Sequence, residues 1–273
     1  MIAASSFAPV GNAYFSLVAE NGRHARYTAG PATGGPWDPR LQHGGPPNAL
    51  AVREAERTLV AETGRTDLVA LRLAADFVGP VPVGEIATQA QVIRAARSAA
   101  LVEVTISAAD RACLIARVWF VRTSDTSAIA APLDAPATVP EVPSGLDLSF
   151  NYGSSLEWRL IKNRMGAPGP AAAWVRPTTS LLAGEEVSGL ARVALIADSA
   201  SGLSSAVDWS VWSFLNVDLD IHLARPVEGE WLLMDATTQL GPSGSALARS
   251  TLSDVRGVVG SGLQTLVLAP LPG

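Results

Sequence analysis

The chain has 273 residues, 48% hydrophobic and 16% charged, with a net charge of −5. That is enough apolar material to bury a large core, and too much for global disorder. An acidic balance without a basic run excludes the electrostatic footprint of a nucleic-acid binder, and the single Cys113 excludes an intramolecular disulfide.

The first residues, MIAASSFAPVGNAYF, have neither a positive start nor a long apolar core, so no signal peptide is expected. Arg23 to Thr28 reads as a short strand, and the Gly/Pro loop GPATGGPWDP follows it. The stretch LQHGGPPNALAVREAERTL, Leu41 to Leu59, then turns through Gly-Gly-Pro-Pro into a helix. Asn48, Val52, Ala55 and Leu59 fall on one face, and Arg53, Glu54, Glu56 and Arg57 on the other. Its first turn leaves backbone N–H groups unpaired, and Gly44 and Gly45 let a ligand approach them. Three partly alternating strands come next, Leu68–Val78, Ile86–Arg94 and Ala99–Ser107, and Cys113–Arg122 closes the set. The first unit, residues 1–125, is therefore one helix against an antiparallel meander.

Residues 126–145 are rich in Ser, Ala and Pro and read as an extended linker. In the second unit, residues 146–273, strands are expected at Leu156–Met165 and Ala171–Thr179. A helix is expected at Glu185–Ser199, apolar on nearly every side over Leu190–Ala197 and so buried almost all round. Strands follow at Ser213–Leu223, Glu230–Gln239, Ser245–Ser253 and Val259–Leu268. No run of about 18 uninterrupted apolar residues occurs, so no membrane span is expected. A soluble, cytoplasmic protein is the expectation.

An internal repeat organises these elements. Pro80 in FVGPVPVGE and Pro226 in LARPVEGE lie 146 positions apart. The same offset pairs Leu101 with Leu247, Thr105 with Thr251, and Phe120 with Leu266 without a gap. Two copies of one helix-plus-sheet unit in tandem are predicted, with both helices on the same side of the joined sheets.

A buried helix wrapped by an antiparallel sheet and duplicated in one chain resembles the double-hotdog fold. The closest resemblance is to the thioesterase-like superfamily around the bacterial type II acyl-CoA thioesterases, and it covers roughly Phe15 to Pro270. It implies an α+β tandem double hotdog in which each unit is a long helix packed on an antiparallel sheet. HGGPPNAL matches the family's Gly-Gly helix entry. Asp218 stands eight residues before Pro226, with Trp231-Leu232-Leu233 following, and Gln264 lies in GVVGSGLQTLVL. The resemblance thus implies catalytic roles for Asp218 and Gln264. Its third polar residue, a Thr, lands by count on Gln239, one past Thr238, and neighbouring strand residues face opposite ways. The implied substrate is an acyl-CoA or acyl-carrier thioester. Hotdog sheets pair into larger assemblies, so a double-hotdog monomer or a dimer of them is expected. No cofactor, metal, nucleic acid or membrane partner is implied.

Thioester hydrolysis needs a positioned water, an acceptor for its proton, and donors for the carbonyl oxygen. Asp218 can supply the acceptor, Gln264 and Thr238 can position the water, and His43, Gly44, Gly45 and Asn216 can hold the substrate. Under the repeat offset Asp218 pairs with Arg72 and Gln264 with Val118, so the polar set occurs in one unit only. Asp198, near the end of the second helix, reads first as a structural hydrogen-bonding acid. A second reading places an acid and an imidazole, Asp38 and His43, five apart at the helix entry, a spacing that resembles hotdog enoyl-thioester hydratases and dehydratases. The Asn-Pro expected between them is replaced by Arg40-Leu41. A third is a non-catalytic acyl-thioester binding protein. No GxSxG elbow, GxGxxG fingerprint or P-loop is present.

Overall fold

Helix α1 (Gly45–Thr63) starts where two prolines follow the glycine turn, and it stops at Gly64, whose left-handed φ of 65° suits glycine. Twelve of its 19 residues are buried, which puts the helix inside the molecule. Six strands surround it in the computed structural model, which describes residues 13–131, 134–141, 148–163 and 167–271. They are β1 (Ala13–Asn21), β2 (His24–Ala29), β3 (Leu68–Phe77), β4 (Gly84–Ala95), β5 (Ala99–Ala108) and β6 (Arg111–Arg122). Their inward residues, among them Tyr27, Leu73, Ile106 and Phe120, share one core with Leu50 and Leu59 of α1.

The second half follows the short helix α2 (Asn151–Ser154). It contains β7 (Leu156–Lys162), β8 (Ala171–Pro177), β9 (Ser180–Leu182), α3 (Gly189–Ala197) and α4 (Ala200–Leu203). After these come β10 (Trp212–Asn216), β11 (Asp218–Leu223), β12 (Leu232–Leu240), β13 (Ser245–Asp254) and β14 (Gly257–Pro270). The first half runs β1-β2-β4-β5-β6-β3 across the sheet, and the second runs β7-β8-β12-β13-β14-β11 in the same pattern. The fold is a tandem double hotdog.

The repeat register holds at the level of single pairs. An offset of 146 carries both ends of β5 onto both ends of β13. It also carries the pair Leu68↔Arg122 onto Phe214↔Leu268. The irregularity between Ala70 and Arg72 in β3 falls, by the same offset, between Asn216 and Asp218. There the second copy divides into β10 and β11, so the expected strand Ser213–Leu223 is two strands meeting at Val217. The halves join where β3 and β11 pair antiparallel, with Arg72 opposite His222 and Asp76 opposite Asp218. The repeat offset exchanges those two pairs, so the seam has local two-fold symmetry about Ala74 and Asp220. Helices α1 and α3 pack against each other beneath it.

Three expectations are refined. The second helix begins at Gly189 rather than Glu185, with Ser188 accepting from the Ala191 N–H as its cap. It ends at Ala197, where the buried pair Asp198-Ser199 separates it from α4. Strand β1 has no counterpart in the expected set, because only its first three residues are buried and the rest lack an inward apolar pattern. Part of the expected linker lies over the outer sheet face. The Trp174 indole donates to Ala137 O at 2.9 Å, and Arg159 donates to Pro140 O and Glu141 O. Linker residues 132–133 and 142–145, residues 146–147 at the start of the second unit, the N-terminal residues 1–12, and the expected end of the strand Leu156–Met165 lie outside the described residues. Among the described residues no helix is long and apolar enough to cross a membrane.

Candidate active site

The two glycines at the start of α1 are there because Phe77 and the second half come too close for a side chain. A Cβ on Gly44 would lie 2.5 Å from the Phe77 ring and 2.7 Å from Asp198 Oδ2, and one on Gly45 would strike Leu195 O. This approach opens a cavity of about 470 Å³, lined by the loop before α1, by Phe77, and by Asp198, Phe214 and Asn216 of the second half.

Asp198 is the centre of the polar cluster, only 4% exposed. Asn216 Nδ2 donates to its Oδ1 at 2.7 Å, and Gln264 Nε2 donates to its main-chain O at 3.0 Å and to Oδ1 at 3.3 Å. Gln264 Oε1 accepts the Ser201 N–H at 3.2 Å, which fixes which end of the amide faces the acid. Asn216 Nδ2 also reaches Asp218 O at 3.3 Å, so its amide nitrogen is held between two acceptors. On the other oxygen, His43 Nδ1 lies 3.0 Å from Asp198 Oδ2. The His43 ring stacks on Tyr152 with centroids 3.8 Å apart, and Tyr152 donates to Leu195 O at 2.5 Å. Burial depresses the imidazole pKa and Asp198 opposes that shift, so the ring is favoured in its neutral form. Burial also lifts the Tyr152 phenol well above its usual range.

Four of the expected residues therefore meet here: His43, Gly44, Asn216 and Gln264, with the Gly45 nitrogen 3.1 Å from His43 Nδ1. Two others do not. Asp218 opens β11 on the opposite sheet face, where its carboxylate accepts from Thr265 N at 2.5 Å and Thr265 Oγ1 at 3.1 Å. Gln264 and Thr265 are strand neighbours and point opposite ways, and Asp218 follows Thr265. Thr238 does face inward, in one row with Ala248 and Gln264, but it is two strands from Gln264 and bonds Ser204 Oγ at 2.8 Å. Gln239 is exposed.

The acid beside Gln264 is thus Asp198. The available signal was a carboxylate at the end of a helix apolar all round, since such a group goes inside only with partners. The Asp38–His43 pairing is not formed. Asp38 is clamped by Arg40, with contacts of 2.7 Å and 3.0 Å, and the guanidinium holds its carboxyl down at about 2. The acid against His43 comes from the other half of the molecule.

Two family models match the sequence. One, described as the acyl-CoA thioesterase N-terminal domain, matches residues 33–121, and the acyl-CoA thioesterase C-terminal domain matches residues 130–268. Among solved structures, a candidate thioesterase from Novosphingobium aromaticivorans is 23% identical, with a TM-score of 0.73 over 94% of this chain and 98% of that one. The acyl-CoA thioesterase II TesB2 from Mycobacterium marinum is 14% identical, with a TM-score of 0.71 over 94% and 96% of the two chains. A hot dog fold protein from Alicyclobacillus acidocaldarius is 15% identical, with a TM-score of 0.68 over 94% and 97%. At these identities the likeness is one of fold. No curated protein matches the chain.

Proposed function

The chain belongs to the acyl-CoA thioesterase family, and from that premise we propose that it hydrolyses acyl-CoA thioesters with a water held by Asp198 and Asn216, Asp198 itself being held by Gln264. The observation that carries this reading is the meeting of those three side chains with His43 at the N-terminus of α1. Asn216 keeps its amide nitrogen on two acceptors, so its Oδ1 is free to accept from a water. Asp198 takes the proton of that water as its oxygen attacks the thioester carbonyl carbon. Collapse of the tetrahedral species breaks the C–S bond, and the departing thiolate takes the proton back from Asp198, leaving a carboxylic acid and a free thiol.

His43 and Gly45 bear on the carbonyl. One ring nitrogen cannot accept from the Gly45 N–H and donate to Asp198 at the same time. A neutral ring that carries its proton on Nδ1 donates to Asp198, and the Gly45 N–H is then available to a developing oxyanion. The positive end of α1 adds to that stabilisation.

Thiol release from acyl-CoA tests the assignment. Asp198→Asn is expected to lower kcat by about two orders of magnitude or more, as for loss of a general base. Asn216→Ala and Gln264→Ala should each cost a factor of about ten to a hundred, and Asp218→Asn about threefold at most, within the usual range for loss of a positioned donor and for a change outside the site. Full activity in Asp198→Asn, or a collapse confined to Asp218→Asn, would overturn it.

A further inference from the structure

The walls of the cavity are unusually rich in aromatic rings for this chain. It has seven Trp and six Phe, and three of each line this one site: Trp37, Trp158, Trp209, Phe77, Phe150 and Phe214. Three of these rings form a single cluster. Phe214 stands edge-on to Trp37 at 5.1 Å and 90°, and to Trp209 at 5.1 Å and 76°. The two indoles are 5.9 Å apart. The rings come from different segments, Trp37 from the loop before α1 and Trp209 and Phe214 from either side of the entry to β10, so the cluster closes only in the folded chain.

Its distance from the reacting groups is set by the strand. Phe214 and Asn216 both lie on β10, two residues apart, so their side chains share a face about 7 Å apart along the chain. An acyl group whose carbonyl faces Asn216 therefore brings its first few atoms against the cluster. Rings packed this closely leave no slot between them for a long chain to thread, and they offer a fixed face instead. A flexible alkyl group gains only buried area on such a face. An aryl ring gains that area and a further several-fold in affinity from each edge-to-face or offset contact, because its positive rim meets the negative faces of the wall.

Resting on the hydrolase reading above, we infer that the preferred acyl group carries an aromatic ring one or two carbons from the thioester carbonyl, as in arylacetyl and arylpropionyl thioesters. A cavity of about 470 Å³ lies within the usual range for a ligand of that size. Trp37, Trp209 and Phe214 are the residues that set the preference.

The test is a comparison of kcat/KM, by thiol release, for phenylacetyl-CoA, 3-phenylpropionyl-CoA, cyclohexylacetyl-CoA, octanoyl-CoA and palmitoyl-CoA. Cyclohexylacetyl has the ring size and carbon count of phenylacetyl but a puckered ring with no π face, so the ratio of the two reports the contacts of a flat aromatic ring. That ratio is expected to be about ten in the protein as it stands, and phenylacetyl-CoA should also exceed both straight-chain thioesters. In Trp37→Leu and Phe214→Leu the ratio should fall toward one. Because it is taken within one preparation, a partly unfolded variant does not change it. A ratio near one in the unaltered protein, or a higher kcat/KM for octanoyl-CoA or palmitoyl-CoA than for phenylacetyl-CoA, overturns the inference while thioester hydrolysis stands. Thiol release from none of the five overturns the hydrolase reading as well.

Discussion

Glu56 lies on α1 next to Ser188, the residue that caps α3. Burial raises its carboxyl to about 7, against the opposing effects of the Ser188 hydrogen bond and the Arg53 charge. Glu54, two residues earlier, has no exposed surface and goes the other way. Burial pushes it up, but Arg57, Tyr27 and Arg53 all bond its carboxylate and hold it below the usual value. The difference has a consequence for stability. The folded state holds a proton on Glu56 that the unfolded chain releases near 4.5. Its stabilising contribution is full below that pH and is lost as pH rises through about 7. The loss is on the order of 3 kcal/mol, at 1.4 kcal/mol per pKa unit. Glu56→Gln keeps the bond to Ser188 without a titrating group. It is expected to match the unaltered protein in urea stability near pH 4 and to exceed it at pH 8. His43 is depressed, so its contribution is lost as pH falls, but it is common to both proteins and cancels in the comparison. Equal pH slopes in the two proteins would refute the assignment to Glu56.

Helix α1 also carries buried polar atoms that no contact among the described residues accounts for, on Asn48 and Thr58. Asn48 is fully buried, and among the described residues neither Oδ1 nor Nδ2 has a hydrogen-bond partner. It sits on the face that also presents Val52, Ala55 and Leu59 to the core. An unpaired amide there costs about 1–3 kcal/mol of desolvation, and asparagine is also a poorer helix former than leucine. Asn48→Leu, which keeps the branched skeleton and replaces the amide by methyl groups, is therefore expected to raise the unfolding free energy by about 1–2 kcal/mol, read as a higher urea midpoint at unchanged slope. A lowered midpoint would mean that the amide is satisfied in the folded state. On the opposite side of the pair, α3 owes its short length to Asp198-Ser199. Those two residues turn their polar atoms to Asn216, Gln264 and Tyr152 instead of extending an apolar helix.

The whole molecule is held together across the seam rather than by the linker. Strands β3 and β11 pair directly, α1 packs on α3, and β9 of the second half adds to the edge of β1 in parallel. The site itself spans the halves, since His43 and Gly45 come from one and Asp198, Asn216 and Gln264 from the other. Cutting the chain in the exposed segment around Ile129 should therefore leave both fragments associated and thioester hydrolysis intact. A protease site inserted there, followed by size exclusion and thiol-release assay of the cleaved protein, checks this. Separation of the fragments on cleavage would show that the linker supplies the cohesion.

The sequence by itself determined the duplicated fold. Alternation and helical spacing are local, and an offset of 146 between Pro80 and Pro226 survives in any structure that pairs those strands alike. The helix entry at His43-Gly44-Gly45 and the buried Gln264 were legible for the same reason, since glycine turns and an amide in an apolar strand are unusual wherever they stand. Which acid meets Gln264 was decided by the tertiary structure alone. Asp218 is near it in the sheet, but strand alternation turns it to the far face with Thr265. Asp198 is 66 residues away in sequence and arrives only because α3 ends against β14 and the N-terminus of α1. The aromatic cluster is likewise invisible in the chain order, because Trp37 and Phe214 belong to different halves and touch only once β3 has paired with β11.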